Sequence, residues 1–337
     1  MANKTYVNID EAYKDLITTV LEEGSWSDNR TGIKTIKYPF YCLRYDMSSG
    51  DFPLLTTRKL PIKSTAVELE GFIKGITSKK WFEDRKCKYW RFWCNPEKLN
   101  ARLIEWQKQR AQKYSSSKEL VEDSVKLTKQ FQEEEDDLGP LGYSWQWRNF
   151  GKQYGIVKKY NADYGMHDIP NGMQYGTDQL KYILDTLLKN PNDRRMVCSA
   201  WNPIQLHLQA LPPCHLLWNV VITKNNHGNV LNLHWHQRSC DSACGIPQNI
   251  ASYAMLLLLL AKHANMQPGI LSAMFADCHI YENHIEGLKE QISRQPMCLP
   301  RISITNKEPF DVLTWTHEDI KLLGYESHPA IKFEVAI

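Results

Sequence analysis

The chain has 337 residues, 42% hydrophobic and 11% aromatic, enough apolar side chain for one large core or two small ones. A charged fraction of 23% and a formal net charge of +3 describe an ordinary surface without the broad basic footprint of a nucleic-acid binder. Met1-Ala2-Asn3-Lys4 leads into polar sequence, and the longest apolar run, Tyr253–Ala261, is too short to span a bilayer. Nine cysteines in such a chain read as reduced thiols of a cytoplasmic protein. No Cys-x-x-Cys pair occurs, and Cys87 and Cys94 lack His partners at zinc-finger spacing, so no metal is expected.

In chain order, Ala12, Leu16, Ile17, Val20 and Leu21 have helical spacing and predict a helix from Ile9 to Gly24. Thr35–Met47 reads as strand, closed by a turn at Ser48-Ser49-Gly50-Asp51. Ser64–Gly75 fits a helix and places Glu68 inside it, among Ala66, Val67 and Leu69, where a carboxylate is expensive to bury without purpose. Asn95 to Asp137 is rich in Lys, Gln, Glu and Ser and ends in Glu133-Glu134-Glu135-Asp136-Asp137. It reads as a solvated helical hairpin, with a partner-binding insertion as the alternative.

Further on, Asp178–Asn190 is an amphipathic helix stopped before Pro191. Met196–Trp201, Leu216–Ile222 and Val230–His236 read as strands, and Asn249–Ala264, apolar on nearly all faces, as a central buried helix. Ile285–Arg294 is a further helix and Ile331–Val335 a last strand-like segment. No repeat or low-complexity linker interrupts the pattern, which predicts one α+β domain.

Chemistry concentrates in two places. Cys214 follows Pro212-Pro213 at the mouth of the Leu216–Ile222 strand, while Arg238, Ser239 and Asp241 follow the Val230–His236 strand. A thiol nucleophile needs a nearby cation, and an anionic substrate needs Arg and Ser donors. Asn249 is either a helix N-cap or a hydrogen-bonding reader, and His279 and Tyr281 share one face at strand spacing. The adjacent Arg194 and Arg195 sit in a polar turn; no glycine-rich phosphate loop is present. Cys42, Cys198 and Cys298 lie in apolar runs and read as packing residues.

From Asn29 to Ile337 the chain resembles the thymidylate synthase family, which includes the pyrimidine hydroxymethylases. The matches run collinearly through Arg30-Thr31-Gly32, Phe52-Pro53-Leu54-Leu55-Thr56-Thr57, Glu68, Trp90-x-x-Trp93, Leu138-Gly139-Pro140, Gln146-Trp147-Arg148, Asp193-Arg194-Arg195, Ser199-Ala200-Trp201-Asn202, Pro213-Cys214-His215, Gln237-Arg238-Ser239, Asn249-Ile250-Ala251-Ser252-Tyr253 and Asp277-x-His279-x-Tyr281-x-Asn283-His284. The resemblance implies a large mixed β-sheet flanked by helices, with two such sheets back to back in a homodimer. The segment at 95–137 would be a peripheral insertion.

It further implies a one-carbon transfer from 5,10-methylenetetrahydrofolate to C5 of a pyrimidine nucleotide. Cys214 adds to C6, assisted by Arg238, Glu68, Tyr143 and Asp241. Arg30, Arg238, Ser239 and, from the neighbouring subunit, Arg194 and Arg195 hold the phosphate. His215 and Asn249 face the base, with Asn249 favouring dUMP over dCMP, and His279 and Tyr281 hold the sugar. Arg58 and Lys59, Trp90 and Trp93, Leu211, Asp241, Cys244, Gly245, Gln248 and Ala336 line the folate, with Val335-Ala336-Ile337 as a lid.

Departures from the family pattern bear on the outcome. The usual Leu-Gly-x-Pro-Phe-Asn is Cys244-Gly245-Ile246-Pro247-Gln248-Asn249, the usual Glu-Leu-Leu-Trp-Phe is Glu68-Leu69-Glu70-Gly71-Phe72, Gly-Asp-x-His is Ala276-Asp277-Cys278-His279, and Tyr-Gly-x-Gln is Tyr143-Ser144-Trp145-Gln146. Loss of apolar folate contacts would admit water, so the expected product is 5-hydroxymethyl-dUMP. The alternative is a thymidylate synthase making dTMP and dihydrofolate; a third, distant reading is a non-catalytic RNA-binding relative.

Overall fold

A computed structural model describes residues 4–110, 117–152, 154, 176–305 and 308–335. Helix α1 (Ile9–Glu23) forms as its spacing predicts, with Asn8 capping the Asp10 amide at 2.9 Å and Ile9, Ala12, Tyr13, Leu16, Ile17 and Val20 buried. It ends at Gly24, where a Cβ would meet the Val20 carbonyl at 2.3 Å. Asp10, buried at the start of α1, accepts from the backbone amides and hydroxyls of both Thr56 and Thr57. Those bonds supply the acceptors' partners that a buried carboxylate needs, and they set the backbone that carries Arg58.

The chain divides into two compact units, one of Met1–Glu70, Tyr182–Cys198 and Cys214–Ile337, the other of Gly71–Lys181 and Ser199–Pro213. The first is built on a seven-stranded mixed sheet in the order β1 (Ser25–Ser27), β2 (Thr35–Asp46), β7 (Gln267–Tyr281), β5 (Gly228–Gln237), β4 (His215–Asn225) and β3 (Val197–Ser199), with β6 (Cys240–Asp241) beside β7. β2 runs antiparallel to β7, β7 parallel to β5, and β5 antiparallel to β4. Alternation buries Trp218, Val220, Leu231, Leu233, Trp235, Leu271, Ala273 and Phe275 on one face. Against this core lies α8 (Gly245–His263), buried along Ile250–Leu257. The fold is α+β, as its sequence implies.

Several boundaries differ from the expected ones. α8 begins four residues before Asn249, which therefore lies inside the helix and is not its N-cap. The strand expected over Met196–Trp201 is only Val197–Ser199, because Pro203 opens a short 3-10 turn just beyond it. Ile331–Val335 belongs to no strand; the terminal pairing is instead β8 (Arg301–Ile304) with β9 (Ile320–Leu323). Cys198 is buried as expected, but Cys42, on the outward face of β2, and Cys298, in the loop before β8, are exposed, since an apolar neighbourhood in sequence does not by itself bury a thiol. Helices α2 (Ile62–Lys74) and α9 (Ile285–Ser293) fall where predicted.

The second unit holds α3 (Lys79–Asp84), α4 (Pro96–Arg110), α5 (Ser117–Glu134) and α6 (Ser144–Asn149), and receives the start of α7 (Gln179–Lys189). α4 and α5 form the charged pair expected at 95–137, joined by Arg102–Glu134 at 2.6 Å, with the Arg102 guanidinium 4.2 Å over the Phe131 ring. Phe72, Trp90, Tyr143 and Trp147 form an aromatic cluster, with Phe72 and Tyr143 centroids 4.9 Å apart. Arg148 forks onto Asp178 and also donates to the Ile73 carbonyl. Among the described residues, no helix is long and apolar enough to cross a membrane.

Candidate active site

Cys214 sits immediately before β4, half-buried, and its carbonyl accepts the Arg238 amide at 2.8 Å. That bond ties the thiol-bearing loop to the end of β5 and brings the Gln237-Arg238-Ser239 segment alongside it. Next in β4, His215 pairs across the ladder with Gln237. Full burial pushes the His215 imidazole down to about 3, so it is neutral at physiological pH. It lies 3.3 Å from the Tyr253 hydroxyl and is also hydrogen-bonded to Asn249.

Asn249 has its orientation imposed from below. The Trp235 indole can only donate, and it reaches the Gln237 Oε1 at 3.2 Å. The Gln237 amino group must then face the other way, where it donates to the Ser239 carbonyl at 3.1 Å and to the Asn249 Oδ1 at 3.0 Å. Asn249 therefore turns its oxygen toward Gln237 and retains amino donors for another acceptor. Gln237 is 1% exposed, so no water competes for these bonds.

Beside this floor, Asp241 pairs with His279 across β6 and β7. The His279 Nδ1 lies 3.0 Å from the Asp277 Oδ1; the hydrogen bond from His279, followed by the charge of Lys37, holds the Asp277 carboxyl below its ordinary range despite burial. With Nδ1–H donating, Nε2 is the accepting nitrogen of the His279 ring. Tyr281 stands edge-on to His279 with centroids 5.4 Å apart. Burial and then Asp241 raise the Tyr281 phenol, against the opposing charge of exposed Arg30.

A third group lies near the start of α8. Asp241 Oδ1 caps the amides of Ala243 and Cys244 at 2.9 Å each. Buried Arg58 donates to the Ala243 carbonyl and stacks 4.8 Å from the Phe333 ring. Burial, then the charge of Asp241, pushes the Cys244 thiol up to about 12. From α2, Thr65 donates to the Gln248 Oε1 at 2.9 Å, and half-buried Glu68 lies one turn further along.

A family model for thymidylate synthase matches residues 11–337. The chain is 35% identical over 329 residues to the thymidylate synthase of Mycoplasma mobile and 36% identical over 328 residues to that of Mycoplasma pneumoniae, covering 97% of this chain and all of each relative. The chain belongs to the thymidylate synthase family. It is also 36% identical over 329 residues to the bifunctional dihydrofolate reductase-thymidylate synthase of Paramecium tetraurelia, of whose length the match spans 61%. The family consists of one-carbon transferases.

Within this member of the synthase family, the first unit brings Cys214, His215, Arg238, Ser239, Asp241, Asn249, His279 and Tyr281 to neighbouring strand ends and the first turns of one helix. Cys244, Gly245 and Gln248 open that helix. Arg194 and Arg195 are exposed on the turn before β3, and Arg195 forks onto Asp193 at 2.6 Å. Lys59 is exposed, Val335 is 64% exposed, and Ala336 lies outside the described residues. Tyr143, Trp90, Trp93 and Leu211 belong to the second unit, where Trp90 and Tyr143 pack in the aromatic cluster.

The departures from the family pattern have local structural accounts. Glu70 accepts from both the backbone amide of His317, at 2.9 Å, and its Nδ1, at 2.6 Å. Gly71 leaves room for Phe82, whose ring carbon a Cβ would meet at 2.2 Å. Cys278 is fully buried beside Cys240. Sequence reading did not assign Trp235, Gln237, Thr65 or His284; alternation in β5 was the available signal for the first two, since it places 235 and 237 on one face.

Proposed function

We propose that this chain is a thymidylate synthase, converting dUMP and 5,10-methylenetetrahydrofolate to dTMP and dihydrofolate. The supporting observation is the Trp235–Gln237–Asn249 relay beside Cys214, which turns the Asn249 amino group away from Gln237 and so orients it to donate to an acceptor such as the O4 of uracil. The Cys214 thiolate adds to C6, with the Arg238 guanidinium favouring its ionised form, and C5 becomes a carbon nucleophile. C5 then bonds to the folate's methylene. Loss of the C5 proton, through waters ordered by Glu68, allows the folate nitrogen to leave. Hydride from the tetrahydrofolate ring reduces the exocyclic methylene as the sulfur departs, which oxidises the folate to dihydrofolate. The Nε2 of His279 and the hydroxyl of Tyr281 meet the sugar 3′-hydroxyl.

The synthase reading replaces the hydroxymethylase expected from Cys244 and Gln248. Relatives matched over their whole length are named thymidylate synthases, and Thr65 donates to the Gln248 oxygen, which ties that side chain to α2. Dihydrofolate formed in proportion to nucleotide consumed, with dTMP by mass spectrometry, is the expected result. A hydroxymethyl nucleotide formed without dihydrofolate overturns it, and turnover by Cys214→Ser overturns the nucleophile.

We also propose that the chain acts as one catalytic domain in a homodimer. The sheet face away from the core exposes Val221, at 55%, and Cys42, and such a face suits a second copy. Arg194 and Arg195 would reach the partner's phosphate across that interface. Mixing Cys214→Ser with Arg194→Ala protein should restore activity; an active monomer in sedimentation refutes the arrangement. Nine cysteines with no disulfide assigned among them suit a reducing compartment, and we assign the enzyme to the cytoplasm.

A further inference from the structure

We propose that Asp241, Cys244 and His284 form a binding site for a transition-metal dication of the zinc class. One ligand-capable atom from each lies within 4.8 Å of the other two. A carboxylate, a thiol and an imidazole are the donor types that zinc selects, and three protein ligands leave one coordination position open. Around a tetrahedral ion with bonds of about 2.0–2.3 Å, such donors stand roughly 3.5 Å apart, so rotamer adjustment closes the triad.

His284 supplies the independent observation. It is 1% exposed, and its Nε2 lies 2.8 Å from the Glu334 carbonyl, an acceptor only. Nε2 therefore carries the proton, and Nδ1 keeps a lone pair. Among the described residues, that Nδ1 is buried with no hydrogen-bond partner. An imidazole held by a carbonyl on one nitrogen, with the other nitrogen bare, is the arrangement found at metal-ligating histidines. Asp241 is similarly prepared: Oδ1 is fixed by the Ala243 and Cys244 amides, which orients the carboxylate beside the triad.

Binding exchanges the Cys244 thiol proton for the metal–sulfur bond and releases that proton to solvent. Spacing along the chain conceals the site, because the ligands come from 241, 244 and 284. Resting on the reading that Asp241 and Cys244 line the folate, the bound metal should also exclude that cosubstrate and so inhibit the enzyme.

The test uses the full chain, wild type and a background in which Cys42, Cys214 and Cys298 are serine, so that accessible thiols and the nucleophile do not contribute. Zinc titrated against a chromophoric chelator should occupy one site per chain in both proteins, and cobalt should give a sulfur-to-metal charge-transfer band. Cys244→Ala in the substituted background should abolish the band, and His284→Gln should weaken zinc binding tenfold or more. Should buried His284→Gln fail to fold, the partly buried Cys244→Ala still decides. Absence of the band, or its survival in Cys244→Ala, overturns the site. With wild type, zinc should raise the KM for folate; a Cys244-dependent band without that effect supports the metal site and removes the folate placement.

Discussion

Beneath Cys214, polar groups run in series from the Trp235 indole through Gln237 to Asn249, each donor meeting an oxygen out of reach of water. At the opening of α8, a few residues away, Gln248 is held by a hydroxyl from α2, the Cys244 thiol stands next to a carboxylate, and the His284 Nδ1 has no partner among the described residues. The first region is over-determined, because a donor-only indole at its base leaves one consistent arrangement for every amide above it. The second is under-determined and can accept different contents. The contrast explains how one side of the proposed site can hold a fixed amide while the other tolerates Cys244 and Gln248.

The largest effect should come from protonating the floor. His215 falls from about 6.5 unfolded to about 3 folded, so its contribution to stability is complete above about 6.5 and is lost as pH falls toward 3. At about 1.4 kcal/mol per unit this is on the order of 5 kcal/mol. Urea unfolding at pH 7 and pH 4 should show a shallower acid loss in His215→Asn than in wild type; equal losses would mean that the histidine is not the titrating group.

Breaking the relay comes next. Gln237→Leu strands the Asn249 oxygen at a cost of about 1–3 kcal/mol, and kcat/KM for dUMP should fall roughly ten- to a hundredfold. Discrimination against dCMP should relax with it, since the amide becomes free to flip. Unchanged discrimination would show that Asn249 is oriented by something other than Gln237.

Changes at the opening of α8 should be milder. Gln248→Phe removes the Thr65 bond and adds apolar contact of about 1–2 kcal/mol, so the KM for folate should shift severalfold while the KM for dUMP stays constant. A matching shift in both would make the two regions one coupled unit. Smallest of all, Arg102→Ala in the exposed α4–α5 pair should cost under about 1 kcal/mol in thermal unfolding and leave turnover intact. A loss of activity there would give the insertion a role that its charged surface does not suggest.

Helical periodicity was enough to locate α1, α2, α7 and α9 to within about two residues, because one buried stripe repeats at 3.6 and glycine or proline closes each end. Most of β7 escaped notice, although Gly269, Leu271, Ala273 and Phe275 alternate inward; Gly and Ala weaken the apolar signal of a strand. The start of the apolar run leaves Asn249 open to a cap reading beside the base-reading one, yet Gly245, Ile246 and Pro247 already carry helical backbone and exclude the cap. Glu70 reads in sequence as an altered folate contact, because its partner His317 is 247 residues away.

By itself the sequence determined the family and the identity of the chemical groups, since thiol, guanidinium and amide side chains are covalent facts that collinear motifs carry. Tertiary structure decided what each group can do: which end of Asn249 faces upward, that His215 is neutral, that Gln248 is tied to Thr65, and that the His284 imidazole lies in a cluster with a thiol and a carboxylate. These properties depend on partners brought in from distant strands and on exclusion of water, and neither burial nor hydrogen-bond direction is written in the order of residues along a chain.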